Sequence, residues 1–125
     1  MQKIIIKWLP VFIWMGIIFS FSSIPSTKVS GVSIVDFLIK KSAHLTEYAI
    51  LYILLLRATS KNWLASAFIL VAFASSDEFH QSFTPGREPT IKDVGFDSIG
   101  AFFGGYLTWK LLPKLDKILA VWARV

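Results

Sequence analysis

The chain has no cysteine. That excludes disulfides, thiolate nucleophiles and cysteine-ligated zinc. Charge is also scarce: Asp, Glu, Lys and Arg make up 17% of 125 residues, and there are only two histidines. A soluble domain of this length ordinarily carries more charge. Acidic residues number eight against 13 basic, a formal charge of +5. In a soluble protein that excess would suggest nucleic acid. Here the basic residues flank apolar runs, the pattern of membrane topology signals, and no nucleic-acid partner is expected. What is abundant is apolar surface: 54% hydrophobic residues and 15% aromatic ones, with a mean hydropathy of +0.61.

The apolar residues are clustered, and their distribution reads as an all-α, polytopic four-helix transmembrane bundle, one domain over residues 1–125. Spans are expected at about 4–24, 37–56, 63–83 and 93–112. Lys3 and Lys7 ahead of Trp8 to Phe21 imitate a signal peptide, but Ser22-Ser23-Ile24-Pro25-Ser26 is a poor cleavage site, so this segment is read as a retained span. Pro10 falls near its beginning. Pro25, Ser26, Ser30 and Gly31 mark a loop, after which Val32 to Ile39 reads as a short interfacial helix. Arg57 to Asn62 is a tight connection that makes spans two and three an antiparallel hairpin. Beyond Pro113, residues 113–125 have the spacing of an amphipathic tail on the membrane surface. The unbroken apolar parts of spans two and three are only about a dozen residues against about 20 needed to cross, so a two-span protein with a soluble middle is the alternative. Lys3, Lys7, Arg57, Lys61, Lys110, Lys114, Lys117 and Arg124 gather at one side of the expected bundle, and Lys28, Lys40, Lys41, Arg87 and Lys92 at the other. This balance favours both termini in the cytoplasm.

The densest polar stretch, Asp77 to Asp93, lies between two apolar runs. Ionisable groups at the edge of a span are costly and usually functional. Counting up from Leu56, Trp63 and Lys110 at 1.5 Å per residue puts His44 at about 18 Å and Glu47 at about 14 Å. Asp77 comes at about 21 Å, Asp97 at about 20 Å, and His80 and Asp93 at about 26 Å. Three helices therefore carry polar groups to similar depth in the outer half. Lys40, Lys41, His44, Glu47 and Tyr48 form one stripe; Asp77, His80 and Gln81 form another; Asp93, Asp97, Gly100 and Gly104 form a third. The Gly100/Gly104 pair is a small-xxx-small pattern that permits close helix approach. Arg87, on a Pro85-Gly86 turn, is placed as a lid or anion contact. The expected ligand-binding set is Lys41, His44, Glu47, Tyr48, Asp77, Glu78, His80, Gln81, Arg87, Asp93 and Asp97. Plain roles stay open beside it: a His44–Glu47 pair within one helix, solvated acids ending span three, Asp93 at a helix N-terminus, and an Arg87–Glu88 surface pair.

Several motifs then converge. They are Trp14 followed by Phe21-Ser22-Ser23 and Pro25; Lys41-x-x-His44-x-x-Glu47-Tyr48; Asp77-Glu78-x-His80-Gln81-x-Phe83-x-Pro85-x-Arg87; and Asp93-Val94 followed by Asp97-x-x-Gly100. Across nearly its whole length the chain resembles the VanZ-like family, named for a protein associated with low-level teicoplanin resistance. It departs from the family at Asp97, where asparagine is frequent. The resemblance implies a small multi-pass protein of the bacterial cytoplasmic membrane and reduced susceptibility to teicoplanin-type lipoglycopeptides. It carries over no catalytic residue.

Three functions remain in view. A non-enzymatic envelope protein would bind a lipid-linked cell-wall precursor or another anionic component in an outward pocket, or meet the lipoglycopeptide itself, with Lys40, Lys41, Arg87 and Lys92 available to phosphate. A membrane-embedded enzyme on a lipid or polyprenyl-phosphate substrate would use His44, Glu47, Asp77, Glu78 and His80 as acid and base. No cofactor is expected. A divalent metal is the variant the imidazoles and carboxylates would allow, although His44-x-x-Glu47 is not a zinc signature. A proton relay is the third, without the inverted repeat of many transporters.

Overall fold

The computed structural model describes residues 1–23, 33–84, 91–111, 117 and 121; the side chains of 33, 36, 37, 91–94, 96, 97, 107–109 and 111 lie outside that description. Four helices make up the fold: α1 Gln2–Ser22, α2 Ser33–Ala58, α3 Trp63–Gln81 and α4 Ile91–Leu111. Each falls within a few residues of an expected span except at the start of α2. There the expected interfacial helix is not separate, because the described part from Ser33 onward is the first turns of α2 itself. After Gly31 no glycine or proline interrupts the chain until Pro85, so nothing stops the helix from extending. Of the expected tail, only Lys117 and Val121 lie among the described residues, and both are exposed.

The helices run up, down, up, down. Lys7 meets Ser60 at one end of α1, and Ser22 meets Gln81 at the other, so α1 and α3 run the same way. The α2–α3 reversal takes four residues. Lys61 N–H bonds to Leu56 C=O at 2.7 Å and Ser60 N–H to Arg57 C=O at 3.2 Å. This is a Schellman-type helix ending, and it requires left-handed backbone at Ser60 (φ 55°), which Lys61 shares (φ 69°). Asn62 then caps α3 by accepting from Ala65 N–H at 3.1 Å.

Helix α1 continues through Pro10. Proline has no N–H to give the carbonyl four residues back, which here is Ile6. The buried Arg57 guanidinium donates to that oxygen at 3.4 Å instead. A side chain from α2 thus replaces the missing rung of α1.

The core is the face of α2 carrying Tyr48, Leu51, Tyr52 and Leu55, all fully buried and spaced as one helical stripe. It packs against α1, α3 and α4. The close approach of α4 differs from the expected glycine pair. A Cβ on Gly100 would come within 2.6 Å of Leu45 Cδ1, and one on Gly105 within 2.7 Å of Tyr52 Cδ1, whereas one on Gly104 would meet nothing within 4 Å. The face turned to α2 therefore runs through Ala101 and Gly105, three and seven residues beyond Ser98.

Large apolar side chains stand on the outside of every helix: Ile4 and Phe12 on α1, Leu38 on α2, Leu64 and Phe68 on α3, Ile99 and Phe103 on α4. Inside lie Arg57, Ser66, Asp77, Gln81 and Ser98. By length and composition, α1 is the one helix among the described residues suited to crossing a membrane, and it lies near the N-terminus. Lys40, Lys41 and Glu47 interrupt the apolar run of α2, and Asp77 and Glu78 that of α3.

Candidate functional site

Asp77 is the centre of the polar interior. It lies four turns into α3, on the side facing α2, and is wholly buried. Its Oδ2 accepts from the Tyr48 hydroxyl at 3.0 Å and from the Gln81 amide at 3.2 Å. Its Oδ1 has no hydrogen-bond partner among the described residues. Tyr48 is one turn below His44, the residue whose height along the helix best matched Asp77. Side chains lean toward the N-terminus of their own helix, so Tyr48 reaches upward on the descending α2 and Asp77 downward on the ascending α3. The two lean toward each other across the remaining offset.

Gln81 carries the network to α1, donating to Ser22 Oγ at 3.2 Å, while Thr84 Oγ1 donates to Ser22 C=O at 3.3 Å. Beside it, Ser23 Oγ and His80 Nε2 are 2.7 Å apart, and the His80 ring lies edge-on to Phe19 with centroids 5.1 Å apart. His80 thus faces α1. Ser23 Oγ also lies 2.8 Å from Phe19 C=O. If its one proton goes to that carbonyl, the His80 N–H donates to Ser23; the other tautomer lets Ser23 donate to His80.

The α2 stripe forms the other side. The His44 ring lies tilted against that of Tyr48, centroids 4.9 Å apart, and 3.8 Å from Glu47 one turn on, His44 and Glu47 both half-buried. Trp14 Nε1 donates to Glu47 C=O at 2.9 Å, tying α1 to this stretch. Lys41 is half-buried and Lys40 exposed. Glu78 is half-buried on α3. The structure therefore joins Tyr48, Asp77 and Gln81 directly, sets His44 against Tyr48 with Glu47 beside it, and turns His80 to the α1 side. Arg87 lies outside the described residues, as do the side chains of Asp93 and Asp97. Among the described residues no three His, Asp or Glu side chains gather as a metal ion would need.

Ser22, Ser23 and Thr84 were given no role from the sequence. Ser22 sits about 30 Å along α1 and Gln81 about 27 Å along α3, so counting height on two parallel helices would have paired them.

The buried part of the arrangement offers acceptors, and its outer edge offers the cations of α2. A model of the VanZ/LLP1 family matches residues 7–113, which takes in α1 from its second turn to the end of α4. The chain belongs to the VanZ/LLP1 family. No curated protein and no solved structure matches it. Within this VanZ-like chain, the matched segment contains every residue of the hydrogen-bonded network just described. Membership and the apolar α1 together point to association with a membrane.

Proposed function

We propose that this VanZ-like protein is a four-span protein of the bacterial cytoplasmic membrane with both termini in the cytoplasm. Its polar site opens outward and binds a lipid-linked component of the envelope. The observation that carries this reading is the pairing of an apolar exterior on all four helices with a wholly buried Asp77 held by Tyr48 and Gln81. In water that distribution is unfavourable; in lipid it is the expected one. Lys40 and Lys41 suit a phosphate, while the carboxylate of the half-buried Glu47 suits hydroxyl or amine donors. A phosphate joined to a hydroxyl-bearing head group, as in a lipid-linked cell-wall precursor, satisfies both. Holding such a molecule would change what the outer surface offers to a teicoplanin-type lipoglycopeptide.

The test is deletion of the gene and its replacement by a Lys41→Gln/His44→Gln variant. Susceptibility to teicoplanin should rise in both, with vancomycin as a comparison that lacks the lipid anchor. Unchanged susceptibility together with unchanged envelope lipids in both strains would refute the reading.

One observation, the Ser23–His80 contact, favours a second reading as a membrane-embedded enzyme on a lipid or polyprenyl-phosphate ester. Ser23 Oγ would attack the ester as His80 Nε2 takes its proton; the ester's alcohol would leave with that proton, and water would then hydrolyse the acyl- or phosphoryl-serine. Among the described residues no carboxylate holds the other ring nitrogen of His80, as such dyads normally require. Labelling of Ser23 by a fluorophosphonate, lost in His80→Ala, would establish this reading, and no labelling would end it.

A further inference from the structure

The end of the bundle opposite the polar site has a different character. Lys7, on α1, donates from Nζ to Ser60 Oγ at 3.1 Å, which brings it to the α2–α3 turn beside the exposed Lys61. Lys110 closes α4 at the same end, its ammonium 6.0 Å from the centroid of the Tyr106 ring. Tyr106 in turn packs on Trp63, the first residue of α3, at 5.5 Å. Cations from α1, the turn and α4 are thus collected at one level. Among the described residues the acids Glu47, Asp77 and Glu78 belong to the other half, and the first turns of α1 and α3 carry none.

Two independent features give this end the anatomy of a lipid interface. The cations are accompanied by amphipathic rings, Trp63 and Tyr106, which belong at the head-group level. The opposite end instead exposes the purely apolar Phe79 and Phe83. A lysine ammonium also has three donors, and Lys7 gives Ser60 one of them. The ammonium and the neighbouring hydroxyl remain able to donate to one oxyanion.

We infer that this end binds the phosphate of an anionic phospholipid, with Lys7, Ser60 and Lys61 as the contacts. It rests on the membrane-embedded part of the proposed function and is independent of the pocket at the other end. The site would hold the protein in its leaflet and fix its orientation by charge.

The experiment uses the full chain purified in a neutral detergent. Phosphatidylglycerol or phosphatidylcholine is added, and retained lipid is read by native mass spectrometry beside the thermal midpoint. Phosphatidylglycerol should be retained and should raise the midpoint; phosphatidylcholine should do neither. Lys7→Gln and Lys61→Gln should each weaken phosphatidylglycerol binding about fivefold, without altering the midpoint in phosphatidylcholine. Soluble glycerol phosphate at millimolar concentration should have no effect; stabilisation equal to that by the lipid would overturn a lipid as the source. Equal retention of both lipids by the wild-type chain, or an unchanged preference in a Lys7→Gln/Lys61→Gln double variant, would overturn the inference. Membrane embedding is read separately by resistance to alkaline extraction. Loss of that resistance removes the membrane reading as well, while intact embedding without lipid preference removes this inference alone.

Discussion

Removing the Tyr48 hydroxyl should weaken the protein only as far as Asp77 is there to receive it. Tyr48 is 1% exposed and Asp77 wholly buried, and their 3.0 Å bond joins two helices. Interhelical hydrogen bonds in membrane proteins are worth about 0.6 kcal/mol on average and about 1.7 at most. This one belongs near the upper end, because neither group can turn to water and Asp77 Oδ1 already has no partner among the described residues. Asp77→Ala costs more, about 3 kcal/mol, since it removes the acceptor of two buried bonds, from the Tyr48 hydroxyl and the Gln81 amide. Gln81 keeps Ser22 as a partner, which limits the loss. In the Tyr48→Phe/Asp77→Ala double variant the bond common to both sites is lost only once. The two losses should therefore overlap by about 1 to 1.7 kcal/mol. The assay is reversible unfolding in mixed micelles, followed by the fluorescence of the five tryptophans. Additivity within about 0.3 kcal/mol would mean that the bond carries no energy and that Asp77 is not the hub of the interior.

Other substitutions test the remaining packing. Arg57→Met should cost about 1 to 2 kcal/mol in the wild-type chain. In a Pro10→Ala background it should cost markedly less, because the introduced alanine has an N–H that can reach Ile6 C=O; equal costs in the two backgrounds would disconnect Arg57 from the proline gap. Gly105→Ala should destabilise by about 1 to 2 kcal/mol, its methyl meeting the rigid Tyr52 ring, while Gly104→Ala should be neutral or gain up to about 1 kcal/mol from helix propensity. The reverse order in thermal midpoints would mean that α4 presents another face to α2. Ser22→Ala should lower the midpoint modestly and lessen the effect of Gln81→Ala, since the two share one bond; independent effects would contradict that link.

The four helices were legible because each is an apolar run ended by polar or turn-forming residues, and the Arg57–Asn62 connection was legible by its brevity. The loop residues Pro25, Ser26, Ser30 and Gly31 suggested a separate interfacial helix over Val32 to Ile39, yet nothing after Gly31 breaks the helix, and α2 runs on from Ser33. The stripe containing Asp77 and Gln81 was visible from spacing. Its partner on α2 was not fully so: heights along an axis favour His44, while the tilt of the side chains selects Tyr48. Gly105 was passed over for Gly104 because a four-residue repeat names a possible face and cannot say which face meets a neighbour. Ser22 and Ser23 stood out only as part of a motif and were given no place in the site, since they carry no charge and join the network through distance rather than electrostatics.

The central claim is that the polar site receives a phosphate-bearing lipid with a hydroxyl-rich head group. It is most directly tested by equilibrium binding of a radiolabelled polyprenyl-diphosphate sugar to the purified chain, comparing wild type with Lys41→Gln/His44→Gln. Both positions are only half-buried, so the fold should persist. Saturable binding that weakens at least tenfold in the variant, with an unchanged unfolding midpoint, is the result predicted. Equal binding by both proteins, or none by the wild type, would contradict it.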